Sequence, residues 1–466
     1  MMDLSHMKPV KVPRVKSKYR RIVTRIPVPE SLPIIKTLLK YEPRAMANQA
    51  PVIWHRAEGF QIHDPYGNRW IDFTSGIVVA NAGHAHPHMV QALRKQINGR
   101  LLHNYLFPTK IRARLVKKLV EMTPANLQKV FLLSTGSEAF ECAIKLARLY
   151  GLRKRPPQTV LISFEGSFHG RTMGSQMLCS AADHKRWITN PDPDIHHIPF
   201  PRCPECPWGR ERYDHCGKEC FEKALARLKK EGVDLRRIGA FFLEGYQGVR
   251  GPVFFPRDYV QALRKWADAR DVLLVVDEIQ SGFGRTGKLF AYQHYGVDMD
   301  IVCCGKGLSS SLPLSAVLAR ADILDIPDPG HMTSTHTGNP VCCAATLAAI
   351  EVLEKEHLIA AAARKGRIVE AALRQIQRRH PDRVGMITGR GLVFSLFFVR
   401  PGTRAPDTDL GDRVVIKSIQ KGVMLFITGN GSIKICPPLG ISREALLEGI
   451  GVISQALDES LKESAT

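Results

Sequence analysis

The stretch "LLVVDEIQSGFGRTG", residues 273–287, joins an apolar run to two acids and then breaks into glycines. A short continuous apolar run bounded by turn residues reads as a strand buried on both faces, the kind found in parallel sheets. Asp277 then stands at the carboxyl end of that strand. Two readings compete for it. A polar residue is common where a chain leaves the core, whereas ligands of parallel α/β sheets bind just beyond the carboxyl ends of the strands.

Moving outward, the central region alternates short apolar runs with helical patterns. "KVFLL" precedes "SEAFECAIKLARLYG", and "IGAFFLEG", "VLLVVDE", "DIVCCGKG" and "LSAVLAR" follow. Strands alternating with helices predict an α/β fold with a mostly parallel sheet covered on both faces. Upstream, "GFQIHDPYGNRWIDFTSG" alternates apolar and polar residues around "DPYGN", a hairpin signature. Downstream, "PVCCAATLAAIEVLEKEH" is the longest helical candidate. "GRGLVFSLFFVR" reads as a strand, and Leu446, Ile450, Ile453, Leu457 and Leu461 define one face of a terminal helix. The expected divisions are a basic arm over 1–30, a segment over 31–95, a large domain over 96–340 and a smaller α/β unit over 341–466.

The 466 residues, 44% hydrophobic and 24% charged, suit a soluble α/β protein, and no apolar run is long enough to cross a membrane. The opening "MMDLSHMKPVKVPRVKSKYRRIVTRIPVPE" has neither a secretory apolar stretch nor a transit-like helix, which predicts a cytoplasmic protein. Net charge is +22, with the basic excess densest from Lys8 to Arg25. No nucleic-acid motif accompanies it, so a solvated or subunit-draping arm is the expectation and no specific nucleic-acid partner is predicted. Among eleven cysteines, Cys203, Cys206, Cys216 and Cys220 form a C-x2-C-x9-C-x3-C array in a proline-rich insertion, 200–221. Four thiolates could hold zinc there, although free thiols in a surface loop explain the same pattern.

Several strand ends carry polar groups of particular kinds. "VFLLSTGSEAFECAIKLAR" passes from a strand through Gly136 and Ser137 into a helix, which aims backbone N–H groups and the positive helix end at one place, a cradle for phosphate. "SFEGSFHGRTMGS" offers the ring of Phe168 beside small residues, as a stacking plate or as core packing. "DIVCCGKGLSSSLPLSAVLAR" sets Lys306 between glycines directly after an apolar strand. Desolvation lowers a lysine's pKa and so enables Schiff-base chemistry, and a buried ion pair is the competing account. Amine, phosphate cradle, aromatic plate and strand-end acid together are what pyridoxal phosphate requires.

The motifs "STGSEA", "FHGRT", "DEIQSGFGRTG", "GKGLSSSLPLSAV" and "STHTGNP", in this order, resemble the class III aminotransferases, the ornithine and 4-aminobutyrate transaminase group of fold-type I pyridoxal-phosphate enzymes. The resemblance implies a large domain with a mostly parallel sheet and a smaller α/β domain built from both ends of the chain. It implies Lys306 as the Schiff-base lysine and proton carrier, and Asp277 as partner of the pyridinium nitrogen. Gly136 and Ser137 would take the phosphate, Phe168 and Ile279 the two ring faces, Gln280 the ring hydroxyl, and Glu244 a position near the ring. Thr335 would reach the phosphate of a neighbouring subunit, so a homodimer with shared active sites is implied. Amino donor and 2-oxo acid acceptor are the implied small-molecule partners, with Ile77, Arg171 and Lys434 at substrate-contact positions, and Arg250 is a second candidate of this chain for a substrate carboxylate.

Two positions depart from the pattern. "EGYQGVRG" has Val249 where relatives that use glutamate have a gating glutamate, and "SIKICPPL" offers Lys434 where an arginine often grips the substrate carboxylate. Lysine supplies a point charge without the two-pronged fork. Both halves of a carboxylate switch are therefore altered, and Arg250 is equally readable as a surface residue. A transaminase is the leading expectation. A racemase, epimerase or decarboxylase on the same scaffold is the first rival, and a basic protein that binds acidic surfaces is the second.

Overall fold

The computed structural model describes residues 8–46, 49–202, 206–209, 216–426 and 428–463. The chain divides into two compact units, one made of Met1–His86 with His357–Thr466 and the other of Pro87–Glu356. These divisions differ from 95/96 and 340/341. The helices Pro87–Asn98 and Pro340–Lys355 pack on each other inside the second unit. Pro340–Lys355 is apolar nearly all round, with Cys343 to Ile350 buried without interruption, and such a helix belongs in a core.

The first unit opens with a sheet rather than a free arm. β1 (Val15–Lys16) and β2 (Arg21–Ile22) form an antiparallel pair, closed by Ser17, whose Oγ accepts from the Tyr19 and Arg20 amides at 3.2 and 2.9 Å. Burial of Ile22 fixes this pair in place. β3 (Arg56–Glu58), β4 (Gln61–His63) and β5 (Arg69–Asp72) complete the order β1-β2-β5-β4-β3. The hairpin expected around "DPYGN" joins β4 to β5. The Asp64 carboxylate accepts from the amides of Tyr66 (2.9 Å) and Asn68 (2.8 Å), and Gly67 takes φ +90°, where a side chain is strained.

The second unit carries seven strands: β6 (Lys129–Leu133), β7 (Val160–Phe164), β8 (Ile195–Ile198), β9 (Ile238–Glu244), β10 (Leu273–Asp277), β11 (Ile301–Cys304) and β12 (Ser315–Ala319). Their order is β6-β12-β11-β10-β9-β7-β8, and only β12 runs against the rest. β7, β9, β10, β11 and β12 are buried along their whole length, as unbroken apolar runs require. The helix Gly136–Leu152 lays Phe140, Ala143 and Leu146 on Phe242, Val275 and Cys303 in one core cluster.

The chain then returns to the first unit. β13 (Val384–Arg390), β14 (Val393–Phe398) and β16 (Ser432–Ile435) form a three-stranded sheet, while β15 (Val423–Met424) adds in parallel to β5. The terminal helix Arg443–Glu463 buries Leu446, Ile450, Ile453 and Leu457, with Leu461 half-buried at its end. Among the described residues no helix is long and apolar enough to cross a membrane.

Candidate active site

Register across the parallel strands builds the site. Asp277 of β10 lies opposite Glu244 of β9 on one side and Cys303 of β11 on the other. Two carboxylates thus end neighbouring strands about 4.8 Å apart. Two residues past β11 the chain reaches Lys306, held at φ +42° in the left-handed region. Backbone strain of that kind concentrates at functional positions. Burial pushes the Lys306 ammonium below the ordinary lysine range, against the opposing pull of Asp277 and Glu244.

Asp277 is held from two sides. Its Oδ1 accepts from the Ile279 amide at 3.0 Å, and its Oδ2 lies 3.0 Å from His169 Nδ1. His169 is buried, stacks on Phe140 with centroids 4.4 Å apart and planes at 16°, and places Nε2 3.4 Å from Ser163 Oγ. Sequence reading singled out Phe168 and passed over this neighbour. A histidine between a phenylalanine and a glycine gives no sign of which acid it will reach 108 residues away. Glu244 accepts from the Gly248 amide at 3.0 Å.

The expected anion cradle falls at the start of the helix Gly136–Leu152. Thr135 caps the helix Gly136–Leu152, with Thr135 Oγ1 accepting from the Glu138 amide and the Glu138 carboxylate accepting from the Thr135 amide. The amides of Gly136 and Ser137 are left with no protein acceptor among the described residues, at the positive end of a 17-residue dipole. A Cβ on Gly136 would come 2.7 Å from Ile279 Cδ1, and one on Gly305 would come 3.3 Å from Ile279 Cγ2. Both glycines therefore let Ile279 settle against the cradle. Ser137 Oγ accepts from the Arg171 amide at 3.2 Å, which ties "FHGRT" to the start of the helix.

The remaining expected residues of this unit are placed as follows. Phe168 is half-buried, with the Arg171 guanidinium 5.5 Å from its ring centroid. Gln280 packs on Gly248, where a Cβ would sit 2.7 Å from its amide oxygen. Arg250 is exposed and lays its Cδ and Nε over Gly166. Thr335 is exposed, in a segment fastened by Thr337 Oγ1 donating to Leu132 O at 2.9 Å.

Ile77 and Lys434 belong to the other unit. Ile77 is 43% exposed within a left-handed turn, Ser75 to Val78, whose φ values run from +48° to +65°. Lys434 is buried in β16, with Nζ 5.6 Å from the Phe426 ring centroid.

The zinc expectation is not supported. Cys203 lies outside the described residues, and among those described no three His, Cys, Asp or Glu side chains converge as a metal site requires. Cys220 is buried on the helix Gly217–Lys230 with its Sγ 3.1 Å from Trp208 Nε1, which makes it a packing residue there.

Glu278 was also unforeseen as a structural element. It is fully buried, and its carboxyl accepts from the amides of Ala291 (2.9 Å) and Tyr292 (2.8 Å) and from Ser281 Oγ (2.7 Å). Burial pushes it up to about 7 despite these donors.

A desolvated lysine, two strand-end acids and an open pair of amides at a helix start form a place for an aldehyde-bearing phosphate whose ring must be protonated. The chain belongs to the class III aminotransferases, whose family profile matches residues 43–457. It is a pyridoxal-phosphate-dependent enzyme of the amino-transferring kind, and its fold is that of the solved transaminases. It is 34% identical over 444 residues to the leucine/methionine racemase of Thermococcus litoralis, covering 92% of this chain and 98% of that protein. It is 32% identical over 446 residues to the 4-aminobutyrate aminotransferase of Mycobacterium leprae, covering 94% and 98%. An amine transaminase from an uncultivated Pseudomonas species, solved in its PLP-bound form, superposes with a TM-score of 0.81 at 27% identity, covering 88% of this chain and 94% of that one.

Proposed function

We propose that this chain moves an amino group from an amino acid or ω-amine to a 2-oxo acid, with Lys306 and Asp277 as its catalytic residues. The register that sets Glu244 and Asp277 side by side, with Lys306 just past the adjoining strand, carries the reading. Bound pyridoxal phosphate supplies an aldehyde for amines and a ring that stores electrons while its nitrogen stays protonated. Asp277 keeps the proton on that nitrogen, and His169 keeps Asp277 aimed. Lys306 Nζ, whose proton is loosened by burial, would hold the aldehyde of that group and, when free, could accept and return a substrate proton. The Gly136 and Ser137 amides, with Ser137 Oγ, orient the phosphate. Ile279 and Phe168 would help exclude water from the ring. Gln280 serves the ring hydroxyl, and Glu244 helps hold charge near Lys306. Arg171 is a carboxylate anchor beside the ring plate, since its guanidinium sits over Phe168. The second subunit of a homodimer would bring Thr335 to the phosphate, which the exposure of Thr335 permits.

A racemase is the second reading, favoured by Val249 and Lys434 in place of the carboxylate switch and by the racemase named among the relatives. One experiment separates the two. Enzyme mixed with an amino donor and no oxo acid should release one oxo product per site and lose its visible absorption. Recovery of that absorption with an inverted donor instead would establish the racemase.

A further inference from the structure

One line of directly opposed residues crosses every strand of the sheet β1-β2-β5-β4-β3. Lys16 faces Arg21, Arg21 faces Arg69, Arg69 faces His63, and His63 faces Arg56. Opposed residues of an antiparallel pair project from the same face. Four permanent cations and a histidine therefore form a row roughly 19 Å long at the usual strand spacing. The rows on either side of it project from the opposite face, where Ile22 in one and Ile62 and Trp70 in the other are fully buried. The cations thus stand on the face away from these buried side chains.

Like charges set directly opposite one another oppose sheet pairing, so the row calls for compensation. The protein offers little. Lys16 and Arg21 have no acidic partner among the described residues, although Arg20 next door pairs with Glu448 at 2.6 Å. Arg56 reaches only Glu58, at 3.9 Å and in solvent. Asp64 is committed to its own turn. Arg69 donates to Lys18 O at 2.9 Å, and its Nε is buried without an acceptor. Desolvation, with Arg56 and Arg69, pushes the His63 proton off. Lys16, Arg21, His63 and Arg69, joined by Arg14 and by the turn-bound Asp64, line a cavity of about 660 Å³, the size of a small-molecule site.

We propose that this cationic row binds a small anion carrying two or three linked phosphates. Arginine forks on neighbouring strands suit several phosphate oxygens at once. The lining contains no Phe, Tyr or Trp, so it lacks the stacking platforms by which single-stranded nucleic acid is held.

The test uses holoenzyme, in which pyridoxal phosphate keeps the Gly136–Ser137 cradle filled, titrated calorimetrically with tripolyphosphate at fixed physiological salt. Saturable binding of one anion per chain is expected, weakened about tenfold or more in the triple variant R14S/K16S/R21S, which removes three exposed cations of the cavity wall. These side chains are exposed, and their loss should leave amino transfer unchanged. The control K229S/K230S/K265S removes the same charge elsewhere and should bind as wild type. Equal weakening in the control would reduce the effect to net charge and overturn the site, as would absence of saturation below millimolar probe. Tighter binding of a single-stranded oligonucleotide than of tripolyphosphate would overturn the small-anion assignment.

Discussion

The strand end at Asp277 and the loop anchored on Glu278 begin one residue apart and use the same functional group for opposite ends. Asp277 is met by a histidine and, across the strand ends, by Lys306, so its surroundings offer groups that carry charge. Glu278 is met by two amides and a hydroxyl, and burial lifts its carboxyl to about 7. A strand turns successive side chains to opposite faces, which is how adjacent acids reach such different company. The glycines of "DEIQSGFGRTG" belong to the second acid: Gly282 packs on the Glu278 carbonyl, and Gly284 and Gly287 take φ near +90° as the loop doubles back to present residues 291 and 292. Partners, rather than residue type, separate a site acid from a scaffold acid.

The comparison would break first at Lys306. Lys306→Ala should abolish the visible absorption of the bound cofactor and lower turnover by about 10⁴-fold or more, since attachment and proton transfer are lost together. Folding should survive, because the residue lies beyond its strand. Wild-type absorption in this variant would remove the assignment. Asp277→Asn is next. It keeps an oxygen for the Ile279 amide but loses the charge that favours a protonated ring nitrogen, and kcat should fall about 10²- to 10³-fold with the cofactor saturating. His169→Gln should cost about tenfold in kcat, the worth of one hydrogen bond to a charged group. If His169 served only as filler, the visible absorption maximum of the bound cofactor in that variant would match the wild type, and a displaced maximum is the expected signature of a loosened Asp277.

Glu278 sharpens the other side. Its native value of about 7 lies above the ordinary glutamate value of 4.5, so the folded state holds a proton that the unfolded state has already released. That contribution to stability is complete below about 4.5 and is lost as pH rises towards 7. Relative to Glu278→Gln, which does not titrate, wild-type stability should therefore decline by something on the order of 3 kcal/mol between pH 4.5 and 7.5. Denaturant melts of the two proteins across that range test it, and a constant gap would place Glu278 at its ordinary value. Activity of the Gln variant at saturating cofactor should stay within a few-fold of wild type.

Much of this was legible because it is local. The buried strands declare themselves as unbroken apolar runs, Lys306 stands between glycines after one of them, and Gly136–Ser137 sit where a strand becomes a helix. What was illegible depends on register and tertiary pairing. His169 gains its meaning from Asp277, far along the chain. The helices Pro87–Asn98 and Pro340–Lys355 shift the unit boundaries only because they pack on each other. Lys16, Arg21, Arg56, His63 and Arg69 read as scattered basic residues, some in an apparently solvated arm, until five strands bring them into line.

The smallest effect should come from the cap beneath the phosphate cradle. Thr135 satisfies the Glu138 amide while Glu138 satisfies the Thr135 and Ser134 amides, and this reciprocal pairing leaves Gly136 and Ser137 as the pair with open donors. Thr135→Ala should lower stability by about 1 kcal/mol, the usual worth of an N-cap. Its more telling consequence is for affinity. Without the cap the first turn can fray, and the two donor amides lose their fixed aim, so the dissociation constant for pyridoxal phosphate, measured by fluorescence quenching, should rise several-fold with kcat at saturation unchanged. Thr135→Ser restores the acceptor and should restore both values. A stability loss with unaltered cofactor affinity would show that the cap serves the helix alone and that the cradle is aimed by Ile279 and the "FHGRT" segment instead.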